Sequence, residues 1–148
     1  MSSAIPITSV PMSPQRERAL YFEGIRLFNS HEFFEAHEVW EEVWRTSTGI
    51  KREYYQGLIQ CSVALEHYRR GNPRGVVSLY KSYRKHFSHV PPIFMGLDIN
   101  SFLQEMRGSL QPVLDRMPPP QRGEISLDGV QVPRLAVQLG SGEELGLD

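Results

Sequence analysis

The chain of 148 residues carries sixteen basic and seventeen acidic side chains, a formal charge of -1, and its length suits one domain with a core of its own. No clustered basic excess calls for nucleic acid or an anionic membrane. A lone cysteine, Cys61 in an apolar run, rules out an internal disulfide and a thiol-based zinc motif and fits a reducing compartment.

Residues 1–12 mix prolines and hydroxyls without a usable period, which reads as a disordered lead-in. Neither a signal-peptide pattern nor the ~20 apolar residues of a membrane span occurs, so the expectation is a cytoplasmic protein without a membrane or nucleic-acid partner. Ser13-Pro14 then supplies a cap followed by proline at the first helical position. The first helix runs to about Phe28, with Leu20, Ile25, Leu27 and Phe28 on its apolar side. Asn29 to Glu32 has the form of a capping box and restarts the helical pattern. The second helix carries Phe33-Phe34-Glu35-Ala36-His37-Glu38-Val39-Trp40-Glu41-Glu42-Val43-Trp44 to about Arg45, and Thr46 to Gly49 end it.

A third helix from about Lys51 to Arg70 is apolar on nearly every side beyond Leu58, so it is expected at the centre. Gly71, then Asn72-Pro73, close it and open a fourth helix with Val76, Leu79, Tyr80, Tyr83 and Phe87 as its stripe. Pro91-Pro92 prevents continuation. A fifth helix spans about Asp98 to Asp115. Beyond Pro118-Pro119-Pro120, alternation around Asp128-Gly129 gives a hairpin signal, and Gly140 to Glu144 reads as a loose acidic tail. The expected fold is all-α: a compact bundle of about five helices over residues 13–116, with a Pro-rich exit, a short hairpin signal and the tail in 117–148.

At ~100° per residue, Phe33, Phe34, His37, Trp40, Glu41 and Trp44 share one side of the second helix. An imidazole and a carboxylate therefore stand one turn apart in an apolar stripe, within mutual hydrogen-bond reach. Gln56, Gln60 and His67 form a polar line on the third helix. Short connections make consecutive helices antiparallel neighbours, which places Glu41 near the level of Gln56 and His37 near Gln60. One reading is a structural network that gives the core specificity. Another is a site for a divalent metal ion on His37 and Glu41, a third donor coming from Glu38, Gln60, His67 or an oligomeric partner. Catalysis would need a nucleophile, and none is visibly placed. Tyr54 and Tyr55 are expected to bridge core and solvent, and His86 and His89 to be loop histidines.

Phe28-Asn29, Phe33 to Glu38, Glu41, Trp44, Gln56-Gly57-Leu58-Ile59-Gln60, His67, Gly71-Asn72 and Gly75 together resemble domain-of-unknown-function family 309, across about residues 20 to 90. That family carries an H-x-x-x-E-x-x-W motif, matched here by His37, Glu41 and Trp44. The resemblance implies a small helical fold and carries no established activity. Metal binding suggested for the motif would fall on His37 and Glu41. The residues themselves lead to a buried or semi-buried pocket of His37, Glu41, Gln56 and Gln60 edged by Trp44, with His67 as a further ligand-binding candidate. A small polar ligand in that pocket is the companion expectation. The alternative is a non-enzymatic protein-interaction module in which the polar seam fixes register. A homo-oligomer is compatible with this pattern, with Phe94, Met95 and Leu97 as either core or contact surface.

Overall fold

The computed structural model describes residues 12–138. Five helices follow one another: α1 (Pro14–Asn29), α2 (Phe33–Trp44), α3 (Gly49–Arg69), α4 (Pro73–Phe87) and α5 (Ile99–Leu114). Ser13 caps α1, its hydroxyl accepting from the Arg16 N–H at 3.2 Å, and Asp98 caps α5 by accepting from the Ser101 N–H at 3.1 Å. Such caps satisfy donors that the first turn leaves without intrahelical partners.

The capping box expected at Asn29 does not form. Asn29 is the last residue of α1, and the cap position of α2 is Glu32, which makes no side-chain cap bond. The Asn29 amide instead holds the main chain of Leu135, donating to its carbonyl at 3.1 Å and accepting from its N–H at 2.8 Å. This tie is made to a residue 106 positions away, so no local pattern announces it.

The central helix is α3, which packs against α2 on one side and α4 on the other, while α1 lies on α2 and α5 on α4. Its run of buried residues includes Tyr54, Tyr55, Leu58, Cys61, Ala64 and Leu65, consistent with a helix that is apolar nearly all round. The principal core joins these to Tyr21 and Phe28 of α1, Trp40 of α2, Phe87 of α4 and Met106 and Leu110 of α5.

Between α4 and α5 the chain makes a two-stranded antiparallel hairpin, β1 (Ile93–Phe94) with β2 (Leu97–Asp98), pairing Ile93 with Asp98 and Phe94 with Leu97. Its turn needs positive φ at both central residues, found at Met95 (48°) and Gly96 (82°). Met95 accepts this because its side chain is buried and its carbonyl receives the Tyr21 hydroxyl at 2.9 Å. Met95 and Leu97 are core residues and Phe94 packs half-buried beside them.

The hairpin expected around Asp128-Gly129 forms no strands: a turn closes from the Val130 N–H to the Leu127 carbonyl at 3.0 Å, with Gly129 at φ 76°. Ile125, Leu127, Val130 and Val132 pack half-buried on the helices instead, and Leu135 is buried. A two-stranded ribbon is marginal by itself, so docking on the bundle supplies what cross-strand pairing would not. The acidic stretch from Gly140 to Glu144 and the lead-in up to residue 11 lie outside the described residues.

Candidate functional site

The apolar side of α2 divides into two stripes. Phe33, Ala36, Trp40 and Val43 are buried to 0% exposure and enter the core. Beside them, at ~100° per residue, runs an outer stripe of Phe34, His37, Glu41 and Trp44, of which Phe34 is exposed and the other three are half-buried. The expected single stripe is corrected accordingly: Phe33 and Trp40 belong to the core, and the ionisable pair lies at its rim.

No hydrogen bond joins His37 to Glu41 among the described residues. The His37 Nδ1 lies 2.9 Å from the Phe34 carbonyl oxygen. A carbonyl only accepts, so Nδ1 carries the proton and Nε2 of the neutral ring holds a free lone pair. Glu41 accepts from Arg45 at 3.2 Å, the arginine being well exposed and the carboxylate half-buried. An ion pair of that kind adds little stability and is easily exchanged. Glu38 is exposed on the solvent side of α2, ~100° round from His37. Among the described residues no three His, Cys, Asp or Glu side chains gather in a group able to hold a metal ion.

Two contacts fix how α2 and α3 run past each other. The Arg52 guanidinium sits 3.9 Å from the Trp44 ring centroid, and that of Arg70 lies 5.9 Å from the Phe34 ring at the far end. The helices are therefore antiparallel. Arg52 also donates to the carbonyls of Trp44 (3.1 Å) and Ser47 (3.2 Å), satisfying acceptors that the end of α2 leaves open.

On α3 the half-buried residues Glu53, Gln56, Gln60, Val63 and His67 share one side. Arg52 and Arg70, which reach α2, flank this line on one edge, and Glu53, which bonds His86 of α4 at 2.8 Å, marks the other. Gln56, Gln60 and His67 thus lie along the outward-facing side of α3, between α2 and α4. The Gln60 Oε1 is buried and has no hydrogen-bond partner among the described residues. His67 is committed to the α3–α4 turn: its Nδ1 receives the Asn72 amide at 2.9 Å, so Nδ1 is the acceptor and the tautomer is opposite to that of His37. A Cβ on Gly75 would stand 2.4 Å from the His67 ring, so only glycine lets α4 approach there. His86 is likewise a helical residue that ties α4 to α3 rather than a loop histidine.

A second set of buried polar groups lies under α1. Tyr55 donates to Glu17 at 2.9 Å and Lys51 reaches the same carboxylate at 3.4 Å. The Tyr21 hydroxyl gives its proton to the Met95 carbonyl, so in the 2.7 Å contact between Tyr21 and Tyr54 the donor is Tyr54. Tyr54 and Tyr55 are 0% exposed, against the expectation that they bridge core and solvent. Burial pushes the hydroxyls of Tyr21, Tyr54 and Tyr55 well above the ordinary tyrosine range, and Glu17 raises Tyr55 further. These phenols are neutral hydrogen-bonding parts of the core. Burial also pushes the Cys61 thiol up, so it is no thiolate nucleophile. Glu66, also buried, is held by Arg69 (2.5 Å) and Arg70 (2.6 Å). A sequence clue existed for that carboxylate: two arginines three and four residues later on the same helix. For Glu17 there was none.

Residues 21–79 match the family described as Domain of unknown function (DUF309). An uncharacterized protein of Aquifex aeolicus is 31% identical over 98 residues, covering 64% of this chain and 29% of that protein. The uncharacterized protein YpuF of Bacillus subtilis is 43% identical over 51 residues, covering 34% of this chain and again 29% of the relative. The chain thus spans under a third of the length of either relative it matches.

Proposed function

We propose that this chain, a member of the DUF309 family through residues 21–79, is a binding protein whose site lies on the outer stripe of α2, where His37 and Glu41 offer two donors to a divalent cation. The observation that carries this reading is the His37 tautomer. With Nδ1–H held by the Phe34 carbonyl, the ring is oriented and Nε2 is left as the ligating atom, an arrangement common to metal-binding histidines. Glu41, one turn on, is engaged only by an exposed arginine. The buried, partnerless Gln60 Oε1 is an oxygen of the kind a hard cation accepts, on the helix that packs against α2. Two donors leave several coordination positions, which belong to water, to a bound ligand or to a second chain. The cation would supply a fixed positive charge able to anchor an anionic ligand.

The test is elemental analysis of protein purified without an affinity tag, together with melting curves in Zn²⁺, Mn²⁺ and Mg²⁺. Uptake near one ion per site, with a raised melting temperature that His37→Gln and Glu41→Gln abolish, is the expected outcome. Absence of metal and unmoved melting curves would remove the reading.

A second reading, a non-enzymatic interaction module, is favoured by the exposure of Phe34 (42%) and Ile50 (48%) at the two ends of the same stripe and turn. Exposed aromatic and aliphatic residues beside arginines suit a protein contact. The readings separate on His37→Gln, which ends cation uptake under the first and leaves partner binding largely intact under the second.

A further inference from the structure

On the opposite side of α4, away from α3, a cavity of about 800 Å³ opens between α4, the end of α5 and the segment that follows it. Its apolar lining comes from Val77 on α4, Val113 and Leu114 on α5, and Met117, Pro119 and Pro120 beyond. Met117 is 83% exposed at its rim. Along the α4 wall stand three cations, Arg74, Lys81 and Lys85, with the hydroxyls of Ser78 and Ser82 between them. Among the described residues none of the three cations is paired with a carboxylate, and no Asp or Glu lines the cavity. Arg116, on the facing wall, shares its charge with Glu124 at 3.6 Å.

The volume is that of a small-molecule site, and the combination of an apolar trough with a few convergent polar groups is how such sites are built. Arg74 and Lys85 lie eleven residues apart, ~16 Å along the helix axis. The charge is therefore spread along the trough, while the apolar surface is continuous beside it. A free inorganic anion would use the cations and waste the trough. A neutral apolar molecule would do the reverse, leaving unpaired cations at its edge. We propose that this cavity binds an amphiphilic anion: an elongated apolar body carrying a carboxylate or phosphate head, the body lying against Val77, Val113, Leu114 and Met117 and the head taken by Lys81 and Lys85 or by Arg74. This site is separate from the outer stripe of α2 and does not depend on it.

The experiment is a ¹H–¹⁵N spectral titration of the full chain with four probes: dodecyl phosphate below its micelle concentration, dodecyl maltoside, inorganic phosphate, and vesicles of phosphatidylcholine with phosphatidylglycerol. Dodecyl phosphate should shift the amides of α4 and of residues 113–120 saturably. Its affinity should weaken about tenfold or more in Lys81→Glu/Lys85→Glu and fall with added salt, as exposed charges are screened. Ser78→Trp, at an exposed position on the rim, should block the trough without touching the core. Equal binding of dodecyl maltoside would reduce the site to an apolar crevice, and equal shifts with inorganic phosphate to a basic patch. Response to vesicles alone would make the surface a membrane contact, and no response to dodecyl phosphate would leave the cavity without this ligand. Each of these four results overturns the proposal.

Discussion

Trp40 and Trp44 stand one turn apart on α2, yet they occupy different worlds. Trp40 is fully buried and its indole N–H donates to the Tyr21 carbonyl at 3.2 Å. Trp44 is half-buried and lies under the Arg52 guanidinium. The same division holds for the polar residues of the two regions. On the inner side, Glu17, Tyr21, Tyr54 and Tyr55 are sealed and every hydroxyl among them has a partner. On the outer stripe, His37 and Glu41 each make one contact and keep capacity to spare. Most buried polar groups are satisfied within the fold, whereas groups at a rim can hold a donor or acceptor in reserve. Spare capacity, rather than burial, is the ground on which a ligand is proposed for the outer stripe.

The sharpest way to break this comparison is to truncate each tryptophan. Trp40→Ala should cost about 3–5 kcal/mol of folding free energy, as a fully buried aromatic does. Trp44→Ala, losing a half-exposed ring and one guanidinium contact, should cost about 1 kcal/mol or less. Urea denaturation monitored by far-UV circular dichroism measures both. Equal losses would mean that the two stripes are not distinct.

Next in size is the tyrosine network. Tyr55→Phe removes a hydrogen bond to the Glu17 carboxylate and should cost about 1.5–3 kcal/mol, the range for bonds to charged groups. Tyr83→Phe is the control: its hydroxyl is buried without a partner among the described residues, so its removal should be neutral or stabilising. The same tyrosines set an alkaline limit. Burial raises Tyr21, Tyr54, Tyr55 and Tyr83 in the folded chain. Below the unfolded pKa of ~10 both states hold the proton and this contribution to stability is constant. Above it the unfolded chain releases protons that the folded chain keeps, so stability falls by about 1.4 kcal/mol per pH unit for each such tyrosine. Urea midpoints followed from pH 8 to 11 should be level, then decline steeply. The smallest destabilisation expected is that of His37→Gln, about 0.5 kcal/mol or less, as for a rim residue away from the core.

Helix number, order and approximate limits were legible because they are written locally. Ser13-Pro14, Asn72-Pro73 and the expected start near Asp98 lie where α1, α4 and α5 begin. The central place of α3 followed from apolar residues on nearly every side of it beyond Leu58. What was not legible depends on partners far along the chain. Asn29 resembles a cap until Leu135 is seen to take its side chain. The β1–β2 hairpin rests on a methionine with positive φ, a residue that carries no turn signal. Within the candidate site, the helical period grouped His37 and Glu41 with Trp44, and these do share the outer stripe. It could not separate that stripe from Phe33 and Trp40, because two adjacent apolar stripes on one helix overlap at the resolution of a ~100° step. The Glu17–Tyr55 bond was invisible because nothing in the order of residues reveals which tyrosine a distant carboxylate will meet.

The most direct test of the proposed site follows the two histidines of opposite tautomer in long-range ¹H–¹⁵N imidazole spectra during a Zn²⁺ titration of the tag-free protein. The expected result is a shift of His37 Nε2 with His67 unchanged, and loss of the response in His37→Gln. An unmoved His37, or equal zinc uptake by His37→Gln, would contradict it.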